Sequence, residues 1–196
     1  RSTLAEWIGV VGVRLQPLVE ALKTKLLTEP ILHADETPVA QLDPGAGKTK
    51  RAYLFAWRSA HTEPIVVFDY CPSRAGKHAQ AFLGEWKGAL MVDDYVGYKA
   101  LFATGITELA CWAHARRVFF DAHKASASPL ADEALRRMGE FYAIASTLRG
   151  LDDATRSIER KHRLGAWLAV FKHWLDAAQA QTLGNSGVRK AIEYTQ

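Results

Sequence analysis

The sequence predicts an α/β protein: a mixed five-stranded sheet flanked by helices, followed by a run of helices. Three observations carry this. Residues 31–70 read as three strands joined by short turns, residues 89–111 as two more strands separated by short helical segments, and everything beyond residue 112 shows helical periodicity. Composition agrees with one ordinary globular body. The 196 residues are 48% hydrophobic and 23% charged, which excludes a disordered chain. No apolar run approaches the roughly 18 residues of a membrane span.

The elements follow in order. Thr3-Leu-Ala-Glu6 fits a capping box and opens a helix to about Arg14. Pro17 suits the first turn of a second helix, with Leu18, Leu22, Leu26 and Leu27 on one stripe. Ile31–Gln41, Arg51–Ser59 and Pro64–Tyr70 are the three strands, and links as short as 43–48 and 60–63 dictate an antiparallel meander. Ser73 is placed to cap a helix reaching Trp86. Ala89–Asp93 reads as a buried strand, Tyr98–Ala103 as a short segment and Ile106–Cys111 as a fifth strand. Strands alternating with helices imply parallel crossovers.

Beyond these, Ala113–Lys124 forms one helix. A second starts at Ser128-Pro129 and closes at Gly150, with Leu135, Met138, Tyr142, Ala145 and Leu148 as its stripe. A third starts near Asp153 and carries Leu164, Leu168, Phe171 and Leu175. Gly184-Asn185 ends it, and Ser186 starts a last helix.

Charge and cysteine content bound the function. There are 25 Lys and Arg against 21 Asp and Glu, a net charge of +4, and the excess lies beyond residue 111. That placement permits contact with an anionic polymer. Two cysteines, Cys71 and Cys111, are too few for a disulfide framework or a four-cysteine zinc site. With no signal segment at either end, the expected compartment is the cytoplasm. A chain that opens on Arg1 and stops at Gln196 within a helical run is expected to be a fragment, cut at both ends.

Three constellations could carry chemistry. The first is Asp35 in His33-Ala-Asp-Glu-Thr-Pro38; strand alternation sends Asp35 and Glu36 to opposite faces, so only one lines a given site. An acid in a strand is costly if buried without a partner. The second is Asp93-Asp94, where an apolar strand ends in carboxylates. Ligands of open sheets sit beyond the carboxyl ends of parallel strands, and hard cations such as magnesium take one or two carboxylates plus substrate phosphates. The third is Cys111-Trp-Ala-His114-Ala-Arg116-Arg117. It lacks the second half of a zinc site, but it sets two cations near a helix start, where the macrodipole disfavours them and a negatively charged partner would not. Gly45-Ala-Gly-Lys48-Thr49 is a hairpin turn rather than a phosphate loop, because Leu42 stands where that motif needs glycine.

These strings resemble a known family. Leu32-His-Ala-Asp-Glu-Thr-Pro38, Asp43-Pro-Gly-Ala-Gly-Lys-Thr49, Phe68-Asp-Tyr70, Ser73-Arg74, Val92-Asp-Asp-Tyr-Val-Gly-Tyr98 and Cys111-Trp-Ala-His-Ala-Arg-Arg117 are similar, in order, to the insertion sequence 66 family of transposases. So are Arg1-Ser-Thr-Leu-Ala-Glu-Trp7 and Lys190-Ala-Ile-Glu-Tyr194.

The resemblance implies an RNase H-like core of the Asp-Asp-Glu type, in which the first and fourth strands are neighbours and bring Asp35 and Asp93 together. These two are the expected catalytic and metal-ligating acids, with Asp94 standing where the family has glycine. Two magnesium (or manganese) ions are implied in the intact protein, one activating water or a DNA 3′ hydroxyl and the other stabilising the leaving oxygen, for DNA strand cleavage and strand transfer. The family's third acid, in an Asn-Asn-x-x-Glu segment, has no match in this chain, so the fragment is expected to be inactive alone. His114, Arg116 and Arg117 are the expected DNA contacts.

The resemblance also implies a homo-oligomeric active complex on transposon ends and target DNA, with no membrane partner. The corresponding division of the chain is a helical segment at 1–29, the core at 30–124 and a helical insertion at 125–196. Two other readings compete: a non-catalytic DNA-binding or assembly module, and a different RNase H-like nuclease.

Overall fold

The computed structural model describes residues 2–60 and 64–196. The chain forms two compact units, residues 1–111 and 112–196.

The first unit is built on five strands: β1 (Ile31–Asp43), β2 (Lys48–Ser59), β3 (Val66–Cys71), β4 (Ala89–Val92) and β5 (Thr107–Ala110). Their order in the sheet is β3-β2-β1-β4-β5. The first three pair antiparallel, while β1 with β4 and β4 with β5 run parallel. This mixed α/β sheet is consistent with the RNase H-like fold. The turn between β1 and β2 closes with Ala46 N–H donating to the Asp43 carbonyl at 3.0 Å. Gly45 and Gly47 adopt φ of 87° and 65°, the left-handed region glycine enters freely. The expected link at 60–63 falls, apart from Ala60, outside the described residues.

The β1–β2 ladder runs from Leu32↔Ser59 to Asp43↔Lys48, whereas β4 pairs with β1 only as far as His33↔Met91 and β3 with β2 only as far as Tyr53↔Cys71. The hairpin end, Val39↔Ala52 through Asp43↔Lys48, therefore has no third strand beside it.

One sheet face is the core. Leu32 and Ala34 of β1, Phe55 and Trp57 of β2, Val67 and Cys71 of β3, and Leu90 and Val92 of β4 are buried, and Trp57 stacks on Phe82 with centroids 4.4 Å apart. The covering elements are the end of α1 (Ser2–Leu26) and α2 (Gly76–Leu83), which contribute Leu26, Ala79, Phe82 and Leu83. The other face holds Ile31, Asp35, Val66, Phe68 and Tyr70, all exposed.

Two expectations are corrected here. The N-terminal segment is one helix, not two: Pro17 lies inside α1. Proline removes one backbone donor, and with full turns of helix on both sides that loss did not break the element. Ser73 does not cap α2, which begins only at Gly76 after Ala75, with no side-chain cap. Ser73 Oγ instead lies 2.9 Å from His78 Nε2. Gly76 starts the helix at a close backbone approach, where a Cβ would stand 2.0 Å from the Gly97 carbonyl oxygen.

The second unit is helical: α4 (Trp112–Ser126), α5 (Pro129–Thr147), α6 (Asp153–Glu159), α7 (Gly165–Ala180) and α8 (Gly187–Thr195), numbered after the short α3 (Lys99–Phe102) of the first unit. A wide π-type turn, Arg160–Leu164, joins α6 to α7. Ser186 caps α8 as expected, its Oγ accepting from Arg189 N–H at 3.2 Å. Of the stripe expected on α5, Met138 and Leu148 are buried and Leu135 and Ala145 half-buried, while Tyr142 is exposed; Ala131 and Ala134 are buried beside it, where small side chains let the neighbouring helices approach. Leu168 is likewise exposed. Trp112, Phe141, Trp167, Phe171 and Trp174 form an aromatic cluster with ring centroids 4.7–6.0 Å apart.

Candidate active site

Asp35 and Asp93 lie on the neighbouring parallel strands β1 and β4. The register pairs His33 with Met91. Carried two residues further along both chains, it sets Asp35 level with Asp93 at the carboxyl end of β4. Asp35 is exposed on the open face of the sheet; Asp93, one residue past β4, has 26% of its side chain accessible. Next to Asp35 on that face, burial and then the nearby Arg58 guanidinium lower the His33 pKa, which favours the neutral ring.

Glu36 points the other way, as strand alternation requires. Its side chain is 1% exposed. A buried carboxylate without partners is too costly to keep, and two residues supply them. Arg74 donates from Nε to Glu36 Oε1 at 2.6 Å, and its Nη2 lies 2.5 Å from the same oxygen. The Tyr98 hydroxyl donates to Glu36 Oε2. Burial pushes the Glu36 pKa up, and the Tyr98 and Arg74 hydrogen bonds only partly oppose it. Burial also raises the Tyr98 phenol, helped by the negative charges of Glu36, Asp93 and Asp35, so one hydroxyl senses all three acids.

Arg74 continues toward Asp93. Its Nη2 is 3.6 Å from Asp93 Oδ2, and its guanidinium carbon sits 3.6 Å above the Tyr95 ring. Tyr95 binds at both ends: its backbone N–H donates to Asp93 Oδ1 at 3.1 Å, and its hydroxyl donates to the Arg74 carbonyl at 2.9 Å. Tyr95 and Tyr98 meet edge to face at 5.9 Å, Tyr98 ending the 3-10 turn Val96–Tyr98. Asp94 is drawn elsewhere, 2.7 Å from Lys99 Nζ, and that ammonium also holds Glu108 Oε1 at 2.8 Å.

Carboxylates at corresponding positions of adjacent parallel strands offer the hard-oxygen donors that suit magnesium or manganese. Asp93 keeps acceptor capacity beyond its one backbone donor, so the residues present fit such an ion. Among the described residues, no group of three or more His, Cys, Asp and Glu side chains converges on one point.

The remaining expected residues lie on α4 in the second unit. Arg116 and Arg117 are exposed. His114 is half-buried, and its Nδ1 is buried with no hydrogen-bond partner among the described residues. Sequence reasoning gave no role to Arg74, Tyr95 or Tyr98. The signal that could have found Arg74 was the strand acid itself: a Glu36 facing the core demands a cation, and Ser73-Arg74 is the loop at the same end of the sheet.

No helix among the described residues is long and apolar enough to cross a membrane. The family described as "Transposase IS66 family" matches residues 1–196. Three curated relatives come from Sinorhizobium fredii (strain NBRC 101917 / NGR234). The uncharacterized protein y4qI is 31% identical over 99% of this chain and 39% of its own length. The uncharacterized protein y4jD is 31% identical over 100% of this chain and 41% of its own length. The uncharacterized protein y4hP is 28% identical over 98% and 39%. The chain spans about two fifths of the length of these relatives. A family match over every residue assigns a transposase-related role, and the chain belongs to the IS66 family of transposases.

Proposed function

We propose that this chain is the central part of a transposase catalysing metal-dependent DNA strand cleavage and strand transfer, and that Asp35 and Asp93 are two of its three metal-binding acids. The observation that supports the reading is the β1–β4 register: carried two residues past His33↔Met91, it gives Asp35 and Asp93 matching positions on neighbouring parallel strands, Asp93 just past the carboxyl end of β4. Asp35, Asp93 and a glutamate outside this chain would hold two magnesium or manganese ions, which supply an activated oxygen nucleophile and stabilise the leaving oxygen. In this reading residues 30–124 are the catalytic core, residues 1–29 lead into it, and residues 125–196 are a helical insertion.

This chain's own part is positional. Asp35 offers an exposed carboxylate. Asp93 is held by the Tyr95 backbone N–H with its other oxygen turned to Arg74. Arg116 and Arg117 supply exposed positive charge for DNA phosphates, and His114 is the third residue of that contact. The active complex is a homo-oligomer on transposon ends and target DNA.

The test is a cleavage assay on DNA carrying the element's own ends, using the full-length protein that contains this chain. Magnesium-dependent nicking that disappears in both Asp35→Asn and Asp93→Asn supports the reading. Unchanged nicking in either variant removes that residue from it. The absence of a three-ligand cluster among the described residues keeps one other reading in view, a non-catalytic DNA-binding module. DNA binding without cleavage under any divalent ion favours that module. Arg116→Glu with Arg117→Glu should weaken DNA binding and flatten its salt dependence.

A further inference from the structure

We infer that Arg74 is a positioning residue for Asp93: through a clamp shared with Glu36, Tyr95 and Tyr98, it fixes the direction in which the Asp93 carboxylate faces. The inference rests on the reading of Asp93 as a metal ligand.

The clamp closes on itself. Asp93 Oδ1 takes the Tyr95 N–H, the Tyr95 hydroxyl takes the Arg74 carbonyl, and Arg74 Nη2 returns to Asp93 Oδ2. Both oxygens of Asp93 are thus referenced to one rigid group. The group is anchored on the core side, because Glu36 binds Arg74 through two nitrogens and Tyr98 through its hydroxyl. Four pieces of chain meet there: the first half of β1, the loop before α2, the segment just after β4 and the 3-10 turn.

Distance distinguishes positioning from competition. If Arg74 were mainly the counter-ion of Asp93, it would occupy the place of a metal cation. Its contacts with Glu36 are 2.5 and 2.6 Å, however, against 3.6 Å to Asp93. Coulomb attraction falls with separation, so Glu36 neutralises most of the guanidinium charge. What reaches Asp93 is directional. A planar fork can bind Glu36, stack on Tyr95 and face Asp93 at once, and a lysine ammonium cannot.

Groups that orient metal ligands typically contribute about 10–100-fold in metal affinity. The experiment is Mn2+ titration of the full-length protein that contains this chain, read by water-proton relaxation, with a thermal melt of each variant. Arg74→Lys should weaken Mn2+ binding by about 10–100-fold. The neutral double variant Arg74→Gln with Glu36→Gln leaves no buried unpaired charge, and it should weaken Mn2+ binding similarly while still melting cooperatively. Tyr95→Phe, which loses only the hydroxyl tie, should fall between. Mn2+ affinity unchanged in the folded double variant overturns the positioning role and leaves Arg74 a stabilising residue. Tighter Mn2+ binding in either Arg74 variant makes it a competitor and also overturns the role. Asp93→Asn separates the two levels. If the unaltered full-length protein binds no Mn2+, or Asp93→Asn binds it unchanged, the metal reading at Asp93 fails and Arg74's role falls with it. If Asp93→Asn loses binding and Arg74→Lys does not, only the Arg74 proposal fails.

Discussion

Lys99 Nζ lies 2.7 Å from Asp94 Oδ1, so the acid next to Asp93 is engaged on the far end of its own turn. Lys99 also holds Glu108, and the Lys99 ammonium is stabilised by both. Both members of the Asp94–Lys99 pair are about half exposed, which makes it a weak contributor, worth at most ~1 kcal/mol. Asp94→Asn should therefore change unfolding free energy by less than ~0.5 kcal/mol. It should also leave the Mn2+ titration unaltered. A large change in either quantity would tie Asp94 to the site itself.

Glu36 is the opposite case. Truncating it leaves a partly buried guanidinium and a buried phenol without their acceptor. Glu36→Ala should cost about 3 kcal/mol, toward the low end for a broken buried pair because Arg74 is 37% exposed. Urea unfolding measures it. A loss well under 1 kcal/mol would mean that solvent already satisfies Arg74.

Two glycine replacements should move stability in opposite directions. Gly76→Ala drives a methyl into the Gly97 carbonyl, and backbone atoms cannot swing aside. Overpacking of this kind costs about 1–3 kcal/mol. Gly139 lies within α5 with nothing within 4 Å of an added Cβ, so Gly139→Ala should stabilise the second unit by about 0.5–1 kcal/mol. Thermal melts of the two variants check both signs.

Acid should expose one ion-pair cluster selectively. Hydrogen bonds from Arg136 and then Arg137 hold the Glu133 carboxyl well below its ordinary 4.5, at about 2. Its folded pKa is thus depressed. The stability it contributes is complete above pH 4.5 and is lost as pH falls through 2. Glu133→Gln should lower the melting temperature slightly at pH 6 and leave it indistinguishable from the unaltered chain near pH 2. Added salt should shrink the difference at pH 6. A gap that persisted at pH 2 would assign the effect to packing.

Much of the sheet was legible because its signals are local. Alternation in β1 separated Asp35 from Glu36, and the tight turn at 43–48 forced the antiparallel hairpin. That β1 and β4 are neighbours came from family resemblance, since no local pattern states which strands pair. Arg74 stayed silent because its role depends on three contacts 19 to 38 residues away, and a lone Ser-Arg in a loop carries no periodicity. Pro17 misled for a similar reason: a proline's local preference for a helix start was overridden by the apolar pattern continuing past it. On α5 the stripe of large residues held at Met138 and Leu148, while close helix approach also buried Ala131 and Ala134, which carry no such signal.

The unaccompanied end of the β1–β2 hairpin has a practical consequence. Its five last pairs, Val39↔Ala52 through Asp43↔Lys48, extend ~16 Å past the neighbouring strands. Residues 48–51 are exposed, and the tip turns on two left-handed glycines. Such a projection is a natural handle. A short epitope or a dye-bearing cysteine spliced between Gly45 and Ala46 would report on the chain's tumbling and on whatever docks nearby, while the ladder beneath shields the acidic end of β4 from the graft.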